Sequence, residues 1–166
     1  MTAVAKKKDS ALAVGNKAPL FDVLFDSAEA AKIKESIKGK NMVLYFYPKD
    51  DTPGCTVEAK DFRDHIKEFE KLNTVIIGVS KDSVKSHDAF KKKYCLPFPL
   101  ASDESGKTCE DYGVWVEKSM YGKTYMGVAR TTFVIGKDGK ILHVFEKVKP
   151  EGHDQEVLSW VKENVR

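Results

Sequence analysis

Cys55, Cys95 and Cys109 are the chain's three thiols. They form neither a C-x-x-C pair nor a zinc-ligand spacing. Cys55 closes "PKDDTPGC", in which Thr52 reads as a helix N-cap and Pro53 takes the first helical position. Cys55 then falls in the first turn, where unpaired backbone N–H groups and the positive end of the helix dipole favour an anion. The thiolate is the nucleophilic form of cysteine, so this is a position for thiol chemistry. Gly54, just before it, is expected to let a substrate approach the backbone closely. The competing reading is a buried cysteine acting as a small hydrophobe. Its neighbours Asp50, Asp51, Thr52 and Thr56 argue against an apolar pocket. The histidines, at 65, 87, 143 and 153, are scattered, and none stands three to five residues from another His or a Cys. No metal and no cofactor are expected.

The elements that must hold this cysteine follow from pattern. "NMVLYFYP", Asn41 to Pro48, is a β-favouring apolar run closed by proline, which predicts a buried strand. From Thr52 the apolar positions Val57, Phe62, Ile66, Phe69 and Leu72 recur at mainly helical spacings, predicting one amphipathic helix. "NTVIIGVS", Asn73 to Ser80, predicts a second buried strand, and Ser83 to Tyr94 a second helix. "LPFPLASD" is too proline-broken for a long helix or a central strand. A short helix is expected around Ser105 to Tyr112, and Thr131 to Phe145 reads as a hairpin about a Lys-Asp-Gly turn. A closing helix runs from Glu151 to Val165, and Phe21 to Lys38 is expected to hold a short strand and a helix. Strands alternating with helices before a hairpin and a last helix make an α/β fold with a central mixed β-sheet flanked by helices.

Length and charge narrow the classes. At 166 residues the chain suits one core, so residues 1–14 are expected to be a flexible tail and 15–166 a single domain. No apolar run is long enough to span a bilayer, and no secretory signal follows the early lysines, so a cytoplasmic protein without membrane association is expected. Net charge is only +3 with the two signs interspersed, which argues against nucleic-acid binding. Lys6 to Lys8 and Lys91 to Lys93 read as solvated tracts.

Pro48, Thr52 and Cys55 stand in the P-x-x-x-T-x-x-C arrangement of the peroxiredoxins. The wider "YFYPKDDTPGCTVEAKDFRD", with "LPFPLASD" and "YGVWVEKSMYGKTYMGVARTTFVIGKDGKI" in the same order, resembles the bacterioferritin comigratory protein or peroxiredoxin Q branch from about Gly15 to the end. The resemblance implies a thioredoxin-like fold and a thiol-dependent peroxidase acting on hydrogen peroxide and organic hydroperoxides. It implies that Cys55 is the peroxidatic thiol, that Thr52 hydrogen-bonds peroxide and thiolate, that Pro48 shields the pocket and that Arg130 supplies positive charge. Donors aimed at the sulfur and at both oxygens would stabilise the charge that moves along them during attack. Taken alone, Arg130 before a strand reads as a solvated charge. Glu58, in the "CTVEA" context, is a candidate to orient that arginine, or else a first-turn carboxylate complementing the helix dipole. Trp115 is a candidate pocket wall or a core aromatic.

Turnover needs a second thiol to condense with the sulfenic acid left on Cys55. Many branch members carry it five residues on, where this chain has Lys60; others carry it near Lys91. One-cysteine recycling by glutathione, thioredoxin or glutaredoxin is the favoured expectation. Cys95, four residues past Lys91 and on the same face if that helix persists, is the candidate resolving thiol within the chain. Cys109 pairing between chains is a third route, although the resemblance suggests a monomer. A thiol–disulfide oxidoreductase would need a C-x-x-C pair, and positions 52 and 58 are Thr and Glu. A binding or chaperone-like protein with a vestigial site is the remaining rival.

Overall fold

The computed structural model describes residues 13–19, 24–25 and 39–165. Its strands are β1 (Leu24–Phe25), β2 (Asn41–Phe46), β3 (Thr74–Ser80), β4 (Leu100–Ser102), β5 (Trp115–Met120), β6 (Lys123–Val128), β7 (Thr131–Ile135) and β8 (Ile141–Phe145). The helices are α1 (Pro53–Asp64), α2 (Ile66–Lys71), α3 (Val84–Tyr94), α4 (Lys107–Asp111) and α5 (His153–Asn164). The main sheet has the order β1-β4-β3-β2-β7-β8. β2, β3 and β4 run parallel, while β7 pairs antiparallel with β2, β8 with β7 and β1 with β4.

β2 lies inside the sheet and is buried on both faces, which is why its sequence is an unbroken apolar run rather than an alternation. Val43, Tyr45 and, just past the strand, Tyr47 face one core with Cys55, Ala59 and Phe62 of α1, Phe69 of α2, Phe90 of α3 and Val157 and Val161 of α5. Leu44 and Phe46 face the other, with Ile77, Val79, Cys109, Tyr112 and Phe133. The two-residue period of the strand therefore puts the end of β2 directly beneath the helix that carries Cys55.

Several expectations need correction. The helix from Thr52 breaks at His65 into α1 and α2, because the His65 ring nitrogen Nδ1 takes the Asp61 carbonyl (3.2 Å) and the His65 amide bonds Phe62 one residue short of the α-helical partner. "LPFPLASD" does contain an interior strand, β4, which begins one residue after Pro99, and the Pro99 carbonyl accepts from Gly78 (3.2 Å). The sequence reading missed β5 and β6, a separate two-stranded ribbon turning at Tyr121–Gly122. Both turn residues have positive φ (53° and 78°), the type I′ requirement, met here by Tyr-Gly rather than Asn-Gly. The closing helix starts two residues later than expected, at His153 after Gly152. The strand expected in Phe21 to Lys38 is β1, and the helix expected there lies outside the described residues. So does most of the expected tail; its last two residues, Ala13 and Val14, open a turn in which Asn16 N donates to Ala13 O, and the adjoining Gly15 amide donates to Ile141.

Candidate active site

Cys55 lies in the first turn of α1, only 2% exposed. Pro53 opens the helix and Thr52 is its extended N-cap residue, as the sequence suggested, but the Thr52 side chain makes no capping bond. Its hydroxyl donates instead to the Lys49 carbonyl (2.9 Å). With its single proton so engaged, the hydroxyl turns acceptor lone pairs elsewhere; to donate to sulfur or peroxide it must rotate. Pro48 is exposed, on the loop between β2 and α1, and the left-handed Asp51 (φ 57°) turns that loop into the helix.

Arg130, between β6 and β7, is not a solvated charge. Its Nη1 donates to Glu58 Oε1 at 2.7 Å and its Nη2 to the Cys55 sulfur at 3.5 Å. One planar guanidinium therefore spans a carboxylate and a thiol, which a lysine cannot do. Glu58 is 1% exposed, and its second oxygen has no partner among the described residues. Burial pushes its carboxyl up to about 7 against the pull of Arg130. Arg130 itself is held in its charged form more firmly than usual, Glu58 and Cys55 together outweighing its partial burial. Of the two readings of Glu58, the arginine partner is the one the geometry meets.

Gly54 has a use that the sequence did not suggest. A β-carbon there would sit 3.2 Å from Pro150 Cγ and 3.3 Å from Arg130 Nη2, so the missing side chain makes room for the guanidinium. Trp115 is no pocket wall: it packs with the core on the opposite side of the sheet and carries Lys81 Nζ 4.0 Å from its ring centroid. Lys118 of β5 escaped the sequence reading with its ribbon. Burial and Arg130 lower it while Cys55 opposes them, which brings this second cation into the field of the thiol.

The remaining thiols differ sharply. Cys109 is fully buried, and burial with Asp103 pushes its thiol far above the usual range. Cys95 is exposed, but the helix does not persist to it: α3 ends at Tyr94 and Cys95 is its left-handed cap (φ 55°), so it does not continue the face of Lys91. Lys60 is exposed with its ammonium 5.8 Å from the Tyr94 ring centroid.

Sequence reasoning also missed what anchors the loop before Cys55. Asp50, Asp82 and His87 bring ligating atoms within 4.8 Å of one another. They are committed to each other and to neighbouring residues: Asp50 to His87 (2.7 Å), Ser86 (2.8 Å) and Tyr47 (2.6 Å), and Asp82 to Ser80 (2.6 Å) and the Asp50 amide (2.8 Å).

Residues 14–144 match the AhpC/TSA family. A putative peroxiredoxin bcp of Coxiella burnetii is 52% identical over 87% of this chain and 95% of its own length. Peroxiredoxin Bcp of Bacillus subtilis is 47% identical over 90% and 95%. The solved structure of Xanthomonas campestris peroxiredoxin Q superposes with a TM-score of 0.80 at 40% identity, over 88% of this chain and 92% of that one. A thiol in a helix's first turn under a clamped guanidinium, on a thioredoxin-like sheet, thus agrees with likeness over most of the chain: it belongs to the AhpC/TSA family as a peroxiredoxin of the Bcp/peroxiredoxin Q branch, a thiol-dependent peroxidase.

Proposed function

We propose that Cys55 is the peroxidatic thiol and that an external thiol restores it in one-cysteine fashion. The contact between Arg130 Nη2 and the Cys55 sulfur, with the same guanidinium held by Glu58, is the observation that carries this reading. The thiolate attacks the terminal oxygen of a hydroperoxide, so an S–O bond forms as the O–O bond breaks. Sulfur loses two electrons, and the departing alkoxide or hydroxide takes up from solvent a proton equivalent to the one the Cys55 thiol released on ionising, leaving as alcohol or water. Negative charge moves from sulfur to the leaving oxygen during this step, and Arg130 is a donor that keeps its proton throughout. Thr52 presents acceptor lone pairs to the peroxide O–H and, on rotation, a donor to its oxygens. Pro48 shields the mouth of the site.

The sulfenic acid then condenses with a thiol of glutathione, glutaredoxin or thioredoxin, losing water, and a second external thiol cleaves the mixed disulfide to return Cys55. Lys60 at the position five residues on and the burial of Cys109 support this route. One observation favours a second route through Cys95. The hydroxyl of its neighbour Tyr94 donates to Asp51 (2.9 Å), and Lys93 pairs with the same carboxylate (2.8 Å), so the end of α3 is tied to the loop that leads into Cys55. No helix among the described residues is long and apolar enough to cross a membrane. A monomer working in the cytoplasm, without nucleic acid, completes the proposal.

The test is peroxide consumption by the purified protein with excess dithiothreitol. Loss of activity in Cys55→Ser, with Cys95→Ser and Cys109→Ser retaining it, is the expected pattern. A wild-type protein that removes no peroxide, with Cys55→Ser behaving identically, would defeat the enzyme reading and favour a binding or chaperone-like protein; a wild-type rate kept in Cys55→Ser would defeat only the assignment of the nucleophile.

A further inference from the structure

The loop bearing Pro48 and Thr52 is held by α3 at two consecutive residues. Asp51 bonds to Lys93 and Tyr94 at the helix's C-terminal end, on the surface. Asp50, at the other end, is buried. Its Oδ1 accepts from the Tyr47 hydroxyl and its Oδ2 from the Ser86 hydroxyl and His87 Nδ1, at 2.6, 2.8 and 2.7 Å. His87 is completely buried, and its other ring nitrogen, Nε2, lies 3.0 Å from the Ala101 carbonyl of β4.

Both ring nitrogens of His87 thus face acceptors, a carboxylate and a carbonyl. A neutral imidazole has one N–H and satisfies one of them. Turning the ring over would set carbons against both oxygens. Only the imidazolium gives each acceptor a proton. Asp50 from the loop and Asp82 from the turn after β3 are the charged groups that act on it, and the bonds to Asp50 and Ala101 outweigh the effect of burial, so His87 holds its proton above the usual histidine range.

We infer that His87 is a positioning residue: as a buried imidazolium bonded to Asp50 and Ala101, it fixes the loop that presents Pro48 and Thr52 to the substrate of Cys55. Nothing places it at the sulfur itself, so it acts on where the peroxide sits rather than on the thiol's reactivity. The inference rests on Cys55 being the peroxidatic thiol, and its test separates the two.

The rate of Cys55 oxidation is measured by stopped flow with hydrogen peroxide, and the rate of Cys55 alkylation with iodoacetamide, in the wild-type protein and in His87→Gln. The glutamine bonds one acceptor at most and carries no charge. Peroxide oxidation is expected to fall by about 10- to 100-fold, the range for reacting groups misplaced by up to an ångström, while alkylation changes by less than about threefold. Ser86→Ala, which removes one bond to Asp50 and no charge, is expected to shift the same ratio in the same direction by a smaller factor. Equal loss of both rates in a folded variant, or an unchanged peroxide rate, overturns the inference while leaving Cys55 as the nucleophile. A wild-type protein that does not react with peroxide overturns the reading of Cys55 instead. Nitrogen NMR of the wild-type protein at neutral pH needs no variant. Two protonated ring nitrogens on His87 support the inference, and a single one refutes it whether or not His87→Gln folds.

Discussion

Glu58→Gln isolates the energetic cost of the carboxylate that holds Arg130. The folded chain keeps the Glu58 proton up to pH about 7, because the side chain is buried and Arg130 repays only part of its desolvation; the ordinary value is 4.5. The folded state therefore binds more protons than the unfolded one between these limits. The stability contributed by this group is complete below the unfolded value and is lost as pH rises through the folded one. At about 1.4 kcal/mol for each tenfold change in proton concentration, the loss is about 3 kcal/mol. Glutamine has nearly the same shape, still offers Arg130 Nη1 an oxygen acceptor and has no proton to lose. Urea unfolding followed by tryptophan fluorescence, from about pH 4 to about pH 8 and with Cys55→Ser in both proteins to remove the thiol, measures the difference. Unfolding free energy of the Glu58 protein minus that of the Gln variant is expected to fall by about 3 kcal/mol across that range. Parallel curves, within about 0.5 kcal/mol, would refute the burial argument. A difference that grows with pH would show that attraction to Arg130 outweighs burial.

Two further expectations concern the same site, and a third concerns the buried thiol across the sheet from it. Arg130→Met removes a donor aimed at the reacting sulfur and should lower the rate of Cys55 oxidation by about 10²- to 10³-fold; Arg130→Lys should not restore it, because one ammonium cannot reproduce the fork between Glu58 and Cys55. In Gly54→Ala the new β-carbon presses on Pro150 and on the guanidinium at 3.2 and 3.3 Å. Peroxide kinetics should slow while stability drops by only about 1 kcal/mol in chemical denaturation. Cys109→Ala should leave peroxide turnover unchanged and cost about 1 kcal/mol of stability, since the thiol is fully buried in the second core.

Much of this fold was legible because its central strands carry their burial openly. β2 and β3 are continuous apolar runs, and α1 opens on a proline that fixes where the helix begins. What escaped depends on partners far away in the chain. β4 hides behind Pro97 and Pro99, and it is a strand because β3 and β1 flank it. The β5–β6 ribbon is mostly exposed and has no buried apolar run to announce it, and its turn is Tyr-Gly, where a tyrosine with positive φ is not a residue that propensity nominates. Cys55 and Thr52 could be placed by capping logic within eight residues, whereas the thiol contact of Arg130 joins positions 75 residues apart. His87 could not be separated from the other histidines because Asp50 lies 37 residues before it. The end of α3 shows the same limit. Three lysines read as a solvated tract, yet Lys93 and Tyr94 fasten the active-site loop.

Peptide-mass analysis of the reduced protein after one equivalent of hydrogen peroxide, with no added thiol, shows which thiol reacts and what becomes of it. Oxidation confined to Cys55 as a single added oxygen, trapped by a sulfenic-acid reagent, is the predicted result. A Cys55–Cys95 cross-linked peptide within one chain would contradict one-cysteine recycling, and oxidation that spares Cys55 would contradict the assignment of the nucleophile.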